Sequence, residues 1–302
     1  MIYLATFSLP VEREEDLLKK RMLENGGPDF GYLDNPYPCG LFGHRELKDI
    51  RFEGITIFYG GNGSGKSTLL NLIAARLELE RVAPFNTGEM FAPYAKACQY
   101  SMADNEEGFA HRIPDGSRII TSDDIFDYML AVRANNADIS EEKLRGRDEY
   151  QKLKYGDTVK FGGFDDYETL RLQVLSRRRS VSRRQFLRQT AGEEVKLNSN
   201  GETALSYFEK KLMDDTLYCL DEPENSMSPR MQLTLAEMLE SMVRYCGCQF
   251  ILATHSPFLL SMNGARIYDL DEDPVCVKPW WELENTRIYY EFFKRNQHLF
   301  EE

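Results

Sequence analysis

The sequence predicts an α/β fold: a mixed, mostly parallel sheet flanked by helices, with a helical subdomain inserted ahead of the last third. Two observations carry that expectation. Apolar strand patterns alternate with helical ones through the last third of the chain, which implies parallel strands joined by helical crossovers. Four glycines in "FYGGNGSGKSTLL", residues 58–70, sit between an apolar strand pattern and an amphipathic helix. Glycine costs backbone entropy on folding, so a cluster this dense marks a place where the backbone itself has a task.

Taken in order, "ELKDIRF" reads as a strand that turns at Glu53-Gly54, and "ITIFYG" as a buried β-branched and aromatic strand. Beyond the glycines, Leu69, Ile73 and Leu77 recur at i, i+4 and i+8, the spacing of an amphipathic helix. Residues 80–118 read as loop-rich. "SRIITSDDIFDYML" passes from strand to helix near Ser122. From about 124 to 196 the pattern is helical and highly charged, broken by "KFGGF" at 160–164, and lacks the sustained heptads of a coiled coil. Then "LYCLDEP" reads as a strand, and 229–246 as a helix with Ser228 as N-cap and Pro229 in the first turn. "QFILATHS" and "ARIYDLDED" read as strands and "ENTRIYYEFFKRNQHLF" as a terminal helix. Trp280, Trp281, Ile288, Tyr289, Phe292 and Phe293 cluster there at helical spacing and read as core, with a partner-binding face as the alternative. Residues 1–302 are expected to form one domain, with 124–200 a helical subdomain within it.

The glycine-rich loop fits G-x-x-x-x-G-K-[ST], with Gly60, Gly65, Lys66 and Ser67 in the fixed places. In such a loop the backbone N–H groups of Gly60, Gly61, Asn62, Gly63, Ser64 and Gly65 form an anion-binding concavity. The helix end carrying Lys66, Ser67 and Thr68 adds its positive pole. Lys66 would reach the β- and γ-phosphates of ATP, and the Ser67 hydroxyl would hold Mg²⁺. Asp221 emerges at the carboxyl edge of "LYCLDEPE", where open α/β sheets bind ligands, and would support the same ion. Glu222 beside it would polarise the attacking water, because a carboxylate pair on a buried strand is costly to desolvate without a role. His255, ending the next apolar strand, reads as a γ-phosphate contact.

These residues resemble the ATP-binding-cassette (ABC) class of P-loop ATPases. "LNSNGETALSYF" at 197–208 supplies the counterpart of that class's signature, since Ser199-x-Gly201-Glu202 resembles S-x-G-[QE]. It precedes the acidic strand, so the chain follows the class order of loop, signature, acidic strand and histidine. The resemblance covers nearly the whole chain. It implies an ABC-type P-loop NTPase head in which Ser199 and Gly201 of one protomer close on the nucleotide of another, an ATP-sandwiched homodimer that hydrolyses ATP to ADP and phosphate. "DEPENSMSP" and "ATHSP" look like the soluble heads grouped with recombination, repair and phage-defence ATPases rather than like transporter subunits. Two departures agree with that. Ser228 stands where transporter-type cassettes place an Asp, and Ser122 or Asp123 stands in for the glutamine expected after the strand that enters the helical subdomain. The class's adenine-stacking aromatic falls near Tyr37 or Phe42.

Composition narrows the classes further. With 42% hydrophobic and 28% charged residues the chain is that of an ordinary globular protein. No apolar run reaches a membrane span and "MIYLATFSLPVEREED" is no secretion signal, so a cytoplasmic location without a membrane partner is expected. The six cysteines follow no disulfide framework and are expected as free thiols; Cys246-x-Cys248 lacks the second pair that zinc requires. A net charge of −12 argues against a chain coated in nucleic acid. Between Thr169 and Gly192, however, lie seven arginines and no acid. Of these, Arg177, Arg178, Arg183 and Arg184 read either as a solvated arm or as a patch for nucleic acid. The expected function is an ATP cycle that drives or gates a nucleic-acid-directed or defence-related effector protein. The alternatives are the ATPase subunit of a membrane transporter and a low-turnover, nucleotide-gated interaction module.

Overall fold

The structure, a computed structural model, describes residues 1–24, 36–45, 47–85, 87–105, 107–155, 167–178, 182, 185 and 199–300. Among them the chain runs β1 (Leu4–Ser8), α1 (Glu12–Glu24), β2 (Asp49–Arg51), β3 (Ile55–Tyr59), α2 (Lys66–Arg76), α3 (Phe91–Ala97), β4 (Gln99–Met102), β5 (Arg118–Thr121) and α4 (Ser122–Tyr155). It continues through α5 (Tyr167–Arg177), α6 (Asn200–Lys211), β6 (Leu217–Asp221), α7 (Pro229–Tyr245), β7 (Gln249–Ala253), α8 (Pro257–Leu260), β8 (Arg266–Asp269), β9 (Cys276–Val277) and α9 (Glu284–Arg295). Two compact units result, Met1–Ile125 with Asn200–Glu302 and Phe126–Ser199, the boundary falling inside α4. In the second unit, Tyr150 and Leu153 of α4 pack with Leu172 and Leu175 of α5.

The first unit holds two sheets. Six strands lie in the order β5-β6-β7-β3-β8-β9, every neighbour parallel except the β8–β9 edge pair. Three more form an antiparallel sheet, β2-β1-β4. In β6 and β7, Cys219, Ile251 and Ala253 join a core shared with Leu69, Leu70, Leu72 and Ile73 of α2 and with Leu4, Phe7 and Ile50 of the smaller sheet. The alternate residues Tyr218, Leu220, Phe250 and Leu252 point to the opposite face and are equally buried. A sheet covered on both faces demands unbroken apolar strands, which is why "LYCL" and "FILA" read so plainly.

Two polar side chains join the two sheets: the Tyr268 hydroxyl of β8 accepts from the Arg51 N–H of β2 (2.8 Å) and donates to its carbonyl (3.0 Å), and Gln249 is the other. Gln249, fully buried at the start of β7, accepts from the N–H groups of Tyr3 and Leu4 (both 2.9 Å) and donates to the carbonyls of Leu4 (2.9 Å) and Glu53 (3.1 Å). All its amide capacity is spent on backbone at the junction.

Some expectations require correction. The stretch 80–118 contains α3 and β4, each too short for its periodicity to show: α3 buries Phe91, Tyr94 and Ala95 over seven residues. Ser228 stands at the N-cap of α7 with Pro229 following, but its side chain makes no capping bond; its carbonyl accepts from Met231 and Gln232 instead. The carboxyl-terminal aromatics are not core. Trp281, Ile288, Tyr289, Phe292 and Phe293 are each at least half exposed and Trp280 is half-buried. The "KFGGF" interruption lies outside the described residues.

The junction yields a stability prediction. Gln249→Leu removes three buried hydrogen bonds and one part-buried one and strands two N–H groups, so urea denaturation should show a loss of at least about 3 kcal/mol. Unchanged stability would mean that the Gln249 amide contributes nothing to holding the two sheets together.

Candidate functional site

The carboxyl ends of β3, β6 and β7, three adjacent strands, each deliver one part of the site. Past β3 the chain turns through residues 60–65 and enters α2 at Lys66. Gly65 is required twice over: its φ is +100°, and a Cβ there would lie 2.9 Å from the ring of Phe42. No side chain caps α2, which leaves its first-turn N–H groups open to an anion. Phe42, 1% exposed, is the floor beneath the loop and so is core rather than an adenine platform. Tyr37 donates to Thr68 Oγ1 (2.9 Å) and stacks on Phe91.

Lys66 is buried within the loop's curve, its Nζ donating to the carbonyls of Gly60 (2.7 Å) and Gly61 (2.9 Å). Burial lowers its pKa, while Glu222, Asp271 and Asp221 pull the other way. Next in sequence, Ser67 donates from Oγ to Asp221 Oδ1 (3.0 Å). Burial pushes the Asp221 carboxyl up from 3.8 to about 6; the Ser67 bond and Lys66 oppose this, and the charges of Glu222 and Glu224 add to it.

Glu222 leaves the line of β6 with a left-handed backbone, φ +47°, and its N–H donates to the carbonyl of Ala253 (2.9 Å). Such a conformation is strained for a residue bearing a Cβ, and here it turns neighbouring carboxylates to different partners. Asp221 meets Ser67, whereas Glu222 Oε1 lies 3.1 Å from His255 Nε2 and its Oε2 accepts from Asn225 (3.1 Å). His255 Nδ1 is 3.2 Å from the carbonyl of Gly60. The carbonyl and the carboxylate both only accept, so a neutral imidazole donates to one of them at a time, from Nδ1 to Gly60 or from Nε2 to Glu222.

Further residues complete the arrangement without having been singled out from sequence. Glu224 Oε1 accepts from Thr254 Oγ1 (2.5 Å) and from the N–H groups of His255 (3.1 Å) and Ser256 (3.3 Å), tying the turn after β6 to the turn after β7. Burial raises its pKa and leaves Oε2 without a hydrogen-bond partner. Asp271, past β8, accepts from the Gly61 N–H (2.6 Å), and Arg45 bridges the carbonyls of Ser64 (3.2 Å) and Leu270 (2.7 Å). The second glutamate of "DEPE" was a visible signal for Glu224; nothing local marked Asp271 or Arg45.

At the end of β5, Thr121 pairs in register with Asp221. The buried carboxylate there is Asp124, which accepts from the Thr121 N–H (2.7 Å), Thr121 Oγ1 (2.9 Å) and the Ala83 N–H (3.0 Å), while Ser122 is half-buried and Asp123 exposed. Gly201 is buried in α6, where a Cβ would fall 2.5 Å from Met231 Sδ and 3.1 Å from the Ser226 carbonyl. Ser199 is exposed immediately before that helix. Arg177 donates to the Leu153 carbonyl (3.2 Å) and Arg178 is exposed; Arg183 and Arg184 lie outside the described residues.

The donors fit a small hard cation. Asp221 and Ser67 offer oxygen ligands, and an acid pushed toward neutrality by burial is one that a divalent ion would restore to its charged form. Among the described residues no group of three or more His, Cys, Asp or Glu could hold a metal. An ion at Asp221 and Ser67 would therefore share its coordination with phosphate oxygens and water.

Comparison with known proteins adds a local match. Residues 202–261 fit the family model described as an AAA domain, putative AbiEii toxin, type IV TA system. No curated protein matches the chain. Among solved structures, the SMC head domain from Thermotoga maritima shares 13% identity over 91% of this chain and 98% of its own, with a TM-score of 0.42. A bacterial ABC transporter cassette solved as a dimer shares 12% over 77% and 88%, at 0.37. The strand order, the loop entering α2 and the Asp221–Ser67 pairing are on the chain itself. They make an α/β fold in which a glycine-rich loop enters a helix beside an acidic strand end. Among the described residues of that fold, no helix is long and apolar enough to cross a membrane.

Asp221 makes the fold pH-sensitive in a definite direction. A carboxyl whose folded pKa lies above its unfolded value takes up protons in the fold first, so stability falls as pH rises from 3.8 to about 6 and stays lower above. In metal-free protein Asp221→Asn should therefore raise the melting temperature at pH 7.5 by a few degrees, equivalent to about 2 kcal/mol, and the gain should vanish near pH 4. A gain independent of pH would show that the carboxylate's charge is not the cause.

Proposed function

We propose that this chain binds and hydrolyses ATP as an ATP-sandwiched homodimer, and that the cycle drives or gates a nucleic-acid-directed or defence-related partner. The observation that carries the ATPase reading is the pair of contacts at adjacent residues, Ser67 to Asp221 and His255 to Glu222, on either side of the buried Lys66. The toxin–antitoxin description of the matching family supports the defence setting. The exposed Arg178 beside Arg177 supports an acidic or nucleic-acid partner.

In this reading the loop N–H groups and Lys66 bind the β- and γ-phosphates. Asp221 and Ser67 hold Mg²⁺, which neutralises charge on the phosphate oxygens. Glu222 takes a proton from the attacking water as that water's oxygen bonds to the γ-phosphorus and the bond to the β–γ bridging oxygen breaks. His255, within hydrogen-bond distance of both Glu222 and the Gly60 carbonyl, keeps that carboxylate aimed at the phosphate end of the loop. Ser199 and Gly201 of the second protomer close the nucleotide from the other side. A side chain at Gly201 would collide with Met231, so the signature helix start is matched closely to the segment that follows the acidic strand.

Lys66→Ala should abolish nucleotide binding in a fluorescence or calorimetric titration. Glu222→Gln should bind ATP as the wild type does yet hydrolyse it at least about 10²-fold more slowly, the scale of a lost general base. Wild-type turnover in Glu222→Gln would remove that residue from the chemistry.

Ser199→Arg separates the sandwich from a single-protomer site. It should leave ATP affinity within about threefold while lowering turnover by about 10²-fold, because it removes a contact made only across the closed interface. Full turnover would mean that hydrolysis needs no second protomer.

A further inference from the structure

Helix α9 presents an apolar stripe that no described residue covers. Ile288, Tyr289, Phe292 and Phe293 are 50–58% exposed, and only Thr286 of the helix is buried. Spacing of four residues sets Ile288 beside Phe292 and Tyr289 beside Phe293 on one side of the helix. Phe300, 70% exposed with its ring 6.2 Å from that of Phe293, extends the stripe. A contiguous apolar surface of this kind marks an interface.

The charges identify the occupant. Glu284 opens the helix and Arg295 closes it, three turns apart, so both lie on the same edge of the stripe, roughly 16 Å from one another along the axis. When two identical helices pack antiparallel about a two-fold axis, like edges face each other. Glu284 of one copy then meets Arg295 of the other, twice over. Parallel two-fold packing would instead set this edge against the partner's opposite edge, leaving both charges without a counterpart. The opposed helix dipoles favour the antiparallel arrangement as well. Arg287 and Lys294 stay clear of the contact, both lying over the Tyr290 ring (5.4 and 5.5 Å) away from the stripe. Half-exposed side chains of this size offer on the order of 100 Å² each, so two stripes approach the ~1,000 Å² of a specific interface. We propose that α9 docks antiparallel on α9 of a second copy of this chain, in a two-fold contact that requires no nucleotide.

Light scattering or sedimentation of the full chain, freed of nucleotide with EDTA, tests this apart from the ATP-dependent contact. The expected mass is that of two protomers, falling to one in Phe292→Glu with ATP binding retained. Glu284→Arg and Arg295→Glu should each weaken the dimer by about tenfold, since each makes two symmetry-related pairs repulsive, and the double reversal should recover to within about threefold of wild type. A wild-type monomer overturns the proposal. A double reversal no better than either single overturns it also, as does a different protein captured through the Phe292 stripe and indifferent to the charge reversal.

Discussion

Three carboxylates crowd the turn after β6, Asp221, Glu222 and Glu224, against a single buried cation, and the rest of the site is arranged around that imbalance. Each carboxylate has a different solution. Glu224 is consumed by the backbone of the next strand's turn, Glu222 is turned by a strained backbone onto His255, and Asp221 keeps only the Ser67 hydroxyl. The least compensated of the three stands where the loop lysine and the helix start converge. An arrangement left short of positive charge favours a ligand that brings a cation with it, as a nucleotide with its metal ion does.

The sheet explains how such crowding is tolerated. Parallel strands buried on both faces cannot shift in register without exposing a whole row of side chains, so their carboxyl ends are fixed points. β3, β6 and β7 are neighbours, and the loop, the acidic pair and the histidine that follow them are brought together by strand order. Gln249 fixes the start of β7 to the smaller sheet, and Glu224 fixes its end to β6. Both ends of the strand that positions His255 are thus held by hydrogen bonds the apolar pattern does not encode.

Much of this was legible in the sequence, for a physical reason. "ITIFYG", "LYCLD" and "FILA" are doubly buried strands and must be apolar throughout, while the glycines at 60–65 are dictated by the loop's backbone. The motif order sets Ser67 and Asp221 at one ion, whereas the contact of Glu222 with His255 is not among the sequence readings, which make His255 a γ-phosphate contact. What stayed hidden depends on tertiary neighbours. Asp271 and Arg45 act on the loop from distant segments, and Asp124 rather than Asp123 is the buried one, bonded to the Ala83 backbone and to Thr121. The aromatics of α9 misled for a related reason: periodicity shows that a helix has an apolar side, not whether its own chain covers it. The Phe42 ring, read as a possible base platform, is instead what compels glycine at 65.

The central claim is a composite site, with the loop of one protomer and the signature of another acting on one nucleotide. Co-expressing Lys66→Ala and Ser199→Arg chains and assaying the mixture for phosphate release tests it most directly. Each variant alone should be inactive. The mixture should regain roughly a quarter of wild-type turnover, since random pairing into two-fold dimers makes half of them mixed and gives each mixed dimer one intact site of two. A mixture as inactive as its parts would contradict the account.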